Sequence, residues 1–300
     1  MKPLALLVPF LAASVLLAQA PPVFRAEIGV VVLRATVRNG RGQPITGLDR
    51  GAFTVYENGD RQAITIFRHG DVPISLGILL DNSRSMRGKR EAAEAAALSA
   101  LLVSGPQDET FVMNFAEKAR VDVPLTSDIA ALAAGVSRRD SIGGTAMWDA
   151  IAQAQDHLVE RAARQRMILI ITDGTDNASV IPVERLKRQT AENDIAVFAI
   201  VIASPDDPES ARRGRDELED VTESSGGFAH HVWTRDEADA RGRETAQQMR
   251  HFYAIGYSPI EQALDGTFRK LRVVAKGHER LQVKTRAGYR ATLARSDKQG

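Results

Sequence analysis

Apolar and polar positions change their period twice along the chain. Residues 23–72 favour strands. Residues 28–37 are rich in valine and isoleucine, residues 53–57 alternate apolar with polar, and residues 63–67 form a third run. Asn39-Gly40-Arg41-Gly42 and Asn58-Gly59-Asp60 separate these runs, and Asn-Gly pairs supply the positive φ angles of tight hairpin turns. Short strands at near-regular spacing predict a β-sandwich.

From Val72 the pattern switches. Residues 74–80 form an apolar run broken only by Ser75, and residues 89–103 carry Ala95, Leu98 and Leu102 at helical spacing until Gly105-Pro106 ends the helix. Residues 109–115 and 119–125 predict an antiparallel strand pair. Helices over residues 128–136 and 147–164 lead to residues 167–171, which are apolar throughout and so predict a central parallel strand buried on both faces. Helices over residues 182–193, 211–224 and 236–252 surround a buried strand at 195–202 and an edge strand at 228–232. Strands alternating with helices predict an α/β domain with a mostly parallel sheet.

The end of the chain returns to β-structure at residues 253–257, 268–275 and 281–285. About three strands on each flank are few for a stable sandwich. The expectation is therefore one sandwich built from both flanks, residues 21–72 and 252–291, with the α/β domain of residues 73–251 inserted between them. Tyr253, Tyr257 and Phe252 are assigned to the sandwich core.

Composition narrows the class. Of 300 residues, 44% are hydrophobic and 26% charged, as in a globular protein. A net charge of +1 gives no bulk electrostatic reason to expect nucleic acid as a partner. Arg212-Arg213-Gly214-Arg215 lies among Asp206, Asp207, Glu209, Asp216 and Glu217 and reads as a solvated helix start. The absence of cysteine excludes a disulfide framework, a zinc-thiolate site and a cysteine nucleophile. Residues 1–20 have the form of a secretory signal peptide, with Lys2, an apolar core and the small-x-small site Ala18-Gln19-Ala20. That core is too short for a comfortable membrane span. Pro21 hinders cleavage there, so a membrane-tethered form is the alternative. Residues 292–300 form a polar tail.

Candidate chemistry gathers at predicted strand ends, where ligands bind in open α/β sheets. Asp81, Ser83 and Ser85 follow the first parallel strand, Asp173 follows the second within Thr172-Asp173-Gly174, and Gly143-Gly144-Thr145 precedes a helix. Two carboxylates and three hydroxyls suit a hard cation such as Mg²⁺, which takes about six oxygens and keeps some waters. If all five side chains bound directly, too few positions would remain for waters and an incoming group. The expected division is direct contact from Ser83, Ser85 and Thr145, with Asp81 and Asp173 holding coordinated waters. Taken singly, each piece has an ordinary explanation: Ser85 as a helix cap, Asp173-Gly174 as a turn. Asp176 and Asn177 read equally as supports of the site or as loop solvation.

With these five residues in this order, residues 73–251 resemble a von Willebrand factor type A domain with a metal-ion-dependent adhesion site. That family's pattern is Asp-x-Ser-x-Ser, then a threonine and an aspartate on two further loops. The flanks resemble a bacterial secreted subgroup, through Val37-Arg38-Asn39-Gly40, Phe53-Thr54-Val55-Tyr56-Glu57-Asn58-Gly59, Tyr257-Ser258-Pro259 and Gly288-Tyr289. The resemblance implies a Rossmann-like fold, a site for Mg²⁺ (Mn²⁺ and Ca²⁺ being the alternatives), and a protein partner whose Asp or Glu carboxylate completes the metal shell. It implies a secreted, periplasmic or envelope location.

Enzyme chemistry has little support. No Gly-x-Ser-x-Gly elbow, His-Glu-x-x-His or P-loop is present. His230 and His231 are neighbours on a strand and face opposite sides. The expectation is a binding module and not an enzyme. A metal-independent structural or assembly subunit is the alternative, and a metal-assisted hydrolase is a more distant one.

Overall fold

Runs that are almost wholly apolar leave the central strands no polar face, so they are covered on both sides. The computed structural model describes residues 29–41, 43–69, 73–138, 143–159, 165–207, 209–277 and 280–292. The expected signal peptide, Pro21 and residues 293–300 of the expected tail lie outside these, as do residues 160–164 at the end of one expected helix.

Six strands form the main sheet: β5 (Ile74–Asp81), β6 (Glu109–Phe115), β7 (Ala119–Thr126), β8 (Gln165–Thr172), β9 (Ala196–Ile202) and β10 (Ala229–Val232). Their order is β10-β9-β8-β5-β6-β7, parallel except for β7, which pairs antiparallel with β6 at one edge. All eight residues of β5 are buried. On one face pack α1 (Arg90–Leu101), α2 (Ile129–Val136) and α6 (Arg235–Arg250). On the other pack α3 (Met147–Val159), α4 (Val183–Asn193) and α5 (Glu209–Ser225). The alanines of α1 keep its surface low. Gly242 of α6 lies so close that a Cβ there would sit 2.2 Å from the Ala96 carbonyl oxygen. This is the doubly covered, mostly parallel sheet expected of a Rossmann-like fold.

The flanks pair with one another. β1 (Val31–Arg38) lies between β13 (Gln282–Lys284) and β11 (Tyr253–Tyr257), with β4 (Ile64–His69) at the edge. The second sheet runs β14-β12-β2-β3, from β14 (Gly288–Arg290) and β12 (Phe268–Ala275) to β2 (Phe53–Glu57) and β3 (Asp60–Gln62). Each sheet thus takes strands from both ends of the chain. β3 and β14, three residues each, are additional to the expected strands. Leu33, Val55, Tyr253, Tyr257 and Val273 fill the sandwich core. Glu57 is buried there and accepts hydrogen bonds from the Tyr257 hydroxyl at 2.6 Å and the Tyr289 hydroxyl at 2.8 Å, tying the two sheets together. Phe252 corrects the expectation: it packs in the α/β core beside Met249 and Ala254, because it stands at the junction before β11 begins.

The sandwich sits against the amino ends of the parallel strands. Arg34 of β1 donates to the Arg166 carbonyl at the start of β8, and to the Asp194 carbonyl just before β9. The opposite, carboxyl ends remain clear of it.

Candidate metal centre

β5 leads to α1 on one face of the sheet, and its neighbour β8 leads to α4 on the other. Chains leaving adjacent strands in opposite directions open a crevice at their carboxyl ends. Asp81 is the last residue of β5 and Asp173 follows the last residue of β8. Both are buried, at 0% and 1% exposure.

Asp81 is held from two sides. Its Oδ1 accepts the Ser83 N–H at 2.8 Å and its Oδ2 accepts the Thr172 hydroxyl at 2.6 Å. Burial pushes its carboxyl up to about 7. The bonds from Ser83 and Thr172 oppose that rise, and the nearby Asp173 adds to it. An ionised Asp81 is therefore costly in the protein alone, and a cation beside it would offset that cost.

The Ser83 and Ser85 hydroxyls lie 3.1 Å apart. Ser85 falls within a short 3-10 turn, Arg84–Gly88, and α1 has Lys89 at its N-cap with no side-chain cap bond. The reading of Ser85 as the cap of that helix is thereby overturned. Thr145 comes from the loop before α3. Its N–H donates to Asn177 Oδ1 at 2.8 Å, and its carbonyl accepts the N–H groups of Asn177 and Ala178, each at 3.0 Å. Asp176 Oδ2 accepts the N–H groups of Met147 and Trp148 at 2.8 and 3.1 Å, satisfying the first turn of α3. Asp176 and Asn177 are thus supports that fix the Thr145 loop to the Asp173 loop.

Ser83, Arg84, Ser85, Thr145, Thr175 and Asn177 line an open cleft of ≈530 Å³, together with Glu117, Gly143 and Gly144. The three expected direct ligands line this cleft, Ser85 exposed and Ser83 and Thr145 buried, while the two buried aspartates are not among its lining residues. The donors are oxygens throughout, which is the chemistry of a hard divalent cation. Among the described residues no group of three or more histidine, aspartate or glutamate side chains is placed to hold a metal. A site here depends on the hydroxyls as much as on the carboxylates.

Sequence reasoning missed the residues behind the aspartates. Thr172, which orients Asp81, was signalled only by its place in Thr172-Asp173-Gly174. Lys89 Nζ lies 3.3 Å from Asp173 Oδ2 and 2.7 Å from Asp207 Oδ1. Arg215 corrects the solvated-cluster expectation. Arg212 and Arg213 are exposed, but Arg215 is buried and bonds to Asp207 and to the Asp173 carbonyl. The cause is the close approach of α5: a Cβ on Gly214 would sit 2.0 Å from the Gly174 carbonyl oxygen, and Gly174 itself has φ +86°.

Residues 76–175 match the family model of the von Willebrand factor type A domain. No curated protein matches the chain. Among solved structures, a von Willebrand factor type A protein from Catenulispora acidiphila is similar at 16% identity, with a TM-score of 0.51 over 89% of this chain and 74% of that one. An aerotolerance-related membrane protein from Bacteroides fragilis is similar at 21% identity over 59% of this chain and 98% of that one, with a TM-score of 0.49. Proximal thread matrix protein 1 from the mussel byssus, with its MIDAS motif occupied by zinc, is similar at 17% identity over 60% and 49%, with a TM-score of 0.48. The first of these likenesses takes in more of the chain than the α/β unit alone. With its doubly covered, mostly parallel sheet and this family match, the chain carries a von Willebrand factor type A domain.

Proposed function

We propose that the chain is a divalent-cation-dependent protein-binding module of the adhesion type. Asp81, Ser83, Ser85, Thr145 and Asp173 hold the ion, and a carboxylate of a partner protein completes its shell. The supporting observation is the cleft itself, lined by Ser83, Ser85 and Thr145 from two loops, with Ser85 exposed and Ser83, Thr145, Asp81 and Asp173 buried.

The division of roles follows from charge. Neutral hydroxyls leave an ion's positive charge largely unspent, so an incoming carboxylate gains a strong bond. Asp81 and Asp173 act through coordinated waters, which weakens their neutralising effect. Mg²⁺ suits such a water-rich shell best, with Mn²⁺ and Ca²⁺ as alternatives.

Ligation is favoured over turnover. Among the described residues no histidine lines the cleft, and Glu117 on its wall already accepts the Gly144 N–H at 3.2 Å. Among the described residues no helix is long and apolar enough to cross a membrane. The signal-like residues 1–20 support a secreted or envelope location. The sandwich packs at the far end of the sheet and leaves the cleft free for a partner.

The test is capture of envelope proteins on the immobilised chain, with Mg²⁺ and with EDTA. Capture that disappears in EDTA and in Thr145→Ala supports the module. Capture that survives both would instead make the chain a metal-independent assembly subunit.

A further inference from the structure

Behind the aspartates, two bases and two acids close a ring. Lys89 bridges Asp173 and Asp207, and Arg215 Nη1 donates to Asp207 Oδ2 at 2.8 Å and to the Asp173 carbonyl at 3.3 Å. All four side chains are screened from water, with exposures of 15% for Lys89, 2% for Asp173, 7% for Asp207 and 10% for Arg215. Burial opposes ionisation of Asp207, yet Lys89, the Ser204 N–H and Arg215 together hold its carboxyl below the usual range. Asp207 is therefore a fixed negative charge that keeps part of the Lys89 ammonium away from Asp173.

The position of Lys89 carries a consequence for the metal. Its ammonium lies against Asp173, one of the two aspartates assigned to the ion, in surroundings where charges are weakly screened. A divalent ion drawing on Asp173 must share that carboxylate with Lys89 and bear its repulsion. Resting on the metal reading above, we propose that Lys89 is a tethered competing cation. It sets the affinity of the site for divalent ions, and Asp207 sets how strongly it competes.

A purely structural ion pair would make a different prediction. Removing either partner of such a pair loosens the loop and weakens metal binding in both cases. Competition instead gives opposite signs. Lys89→Met keeps the apolar stem and removes the charge, and should tighten Mn²⁺ binding about tenfold or more. Asp207→Asn leaves Lys89 to Asp173 alone and should weaken Mn²⁺ binding several-fold. Lys89→Arg keeps the charge and should stay near wild type.

The experiment is titration of the full chain with Mn²⁺, read by the electron paramagnetic resonance signal of the free ion, with melting in EDTA as a check that each variant folds. Tighter binding in Lys89→Met together with weaker binding in Asp207→Asn supports the proposal. Unchanged or weaker binding in folded Lys89→Met overturns it. Failure of the folded wild type to take up Mn²⁺ overturns the metal reading itself, and this proposal with it.

Discussion

The Thr172 hydroxyl donates a 2.6 Å hydrogen bond to Asp81 Oδ2 and thereby joins the carboxyl ends of β8 and β5. The same oxygen accepts the Gly174 N–H at 3.1 Å, so Thr172 orients both the aspartate and the turn that carries Asp173. Thr172→Val preserves shape and leaves both partners short of a bond. A hydrogen bond to a charged group is worth about 1.5–3 kcal/mol, and the expected loss of stability is of that order. Thr172→Ser should retain most of it. Chemical denaturation of the three proteins in EDTA checks this, and equal midpoints would contradict it.

The sandwich should fail without either flank. β1 has only carboxyl-flank strands beside it, and β2 pairs with β12 as well as with its own hairpin partner β3. Residues 21–72 expressed alone should therefore remain unfolded, while residues 73–251 should fold. Circular dichroism and melting of the two fragments decide this. A cooperatively melting 21–72 fragment would contradict the two-flank account.

The Glu57 junction makes a finer prediction. Burial and the neighbouring carboxylate raise the pKa of both Tyr257 and Tyr289, so both hydroxyls stay protonated and donate. Tyr257→Phe removes one donor from a buried carboxylate and should cost about 1–3 kcal/mol, read as a lowered denaturation midpoint. An unchanged midpoint would show that the junction contributes nothing.

His230 sets a pH dependence. Burial pushes its imidazole down to about 4, with Arg241, Arg38 and His231 adding to the shift and Glu244 opposing it. Among the described residues its buried Nε2 has no hydrogen-bond partner. The unfolded chain takes up a proton near pH 6.5, whereas the folded chain resists doing so until about 4. The His230 contribution is therefore full above about 6.5, falls as pH drops through that window and levels off below it. The contribution is about 3 kcal/mol across the window. His230→Gln should remove this contribution, so the stability difference between wild type and variant should change by about 3 kcal/mol between those limits, and parallel profiles for the two proteins would contradict this.

The outline of the fold was legible because period-2 and helical patterns are strong over long elements. β5 and β8 announced themselves by apolar runs, broken in β5 only by Ser75, and their order placed Asp81 and Asp173 at neighbouring ends of one sheet. β3 and β14 are too short for a period to show. Phe252 was misplaced because an apolar residue at a junction carries no sign of which core it enters. The ring behind the site was invisible for a related reason. Lys89 meets Asp207 only because α5 presses Gly214 onto Gly174, a contact that spacing along the chain does not encode.

The central claim is that five oxygen-bearing side chains hold a divalent cation. Calorimetric titration of the full chain with Mg²⁺, alongside Asp81→Asn and Thr145→Ala, tests it most directly. The account predicts a single-site isotherm for the wild type that disappears or weakens at least about tenfold in both variants while each remains folded. Equal Mg²⁺ binding by wild type and variants, or none by the folded wild type, would contradict it.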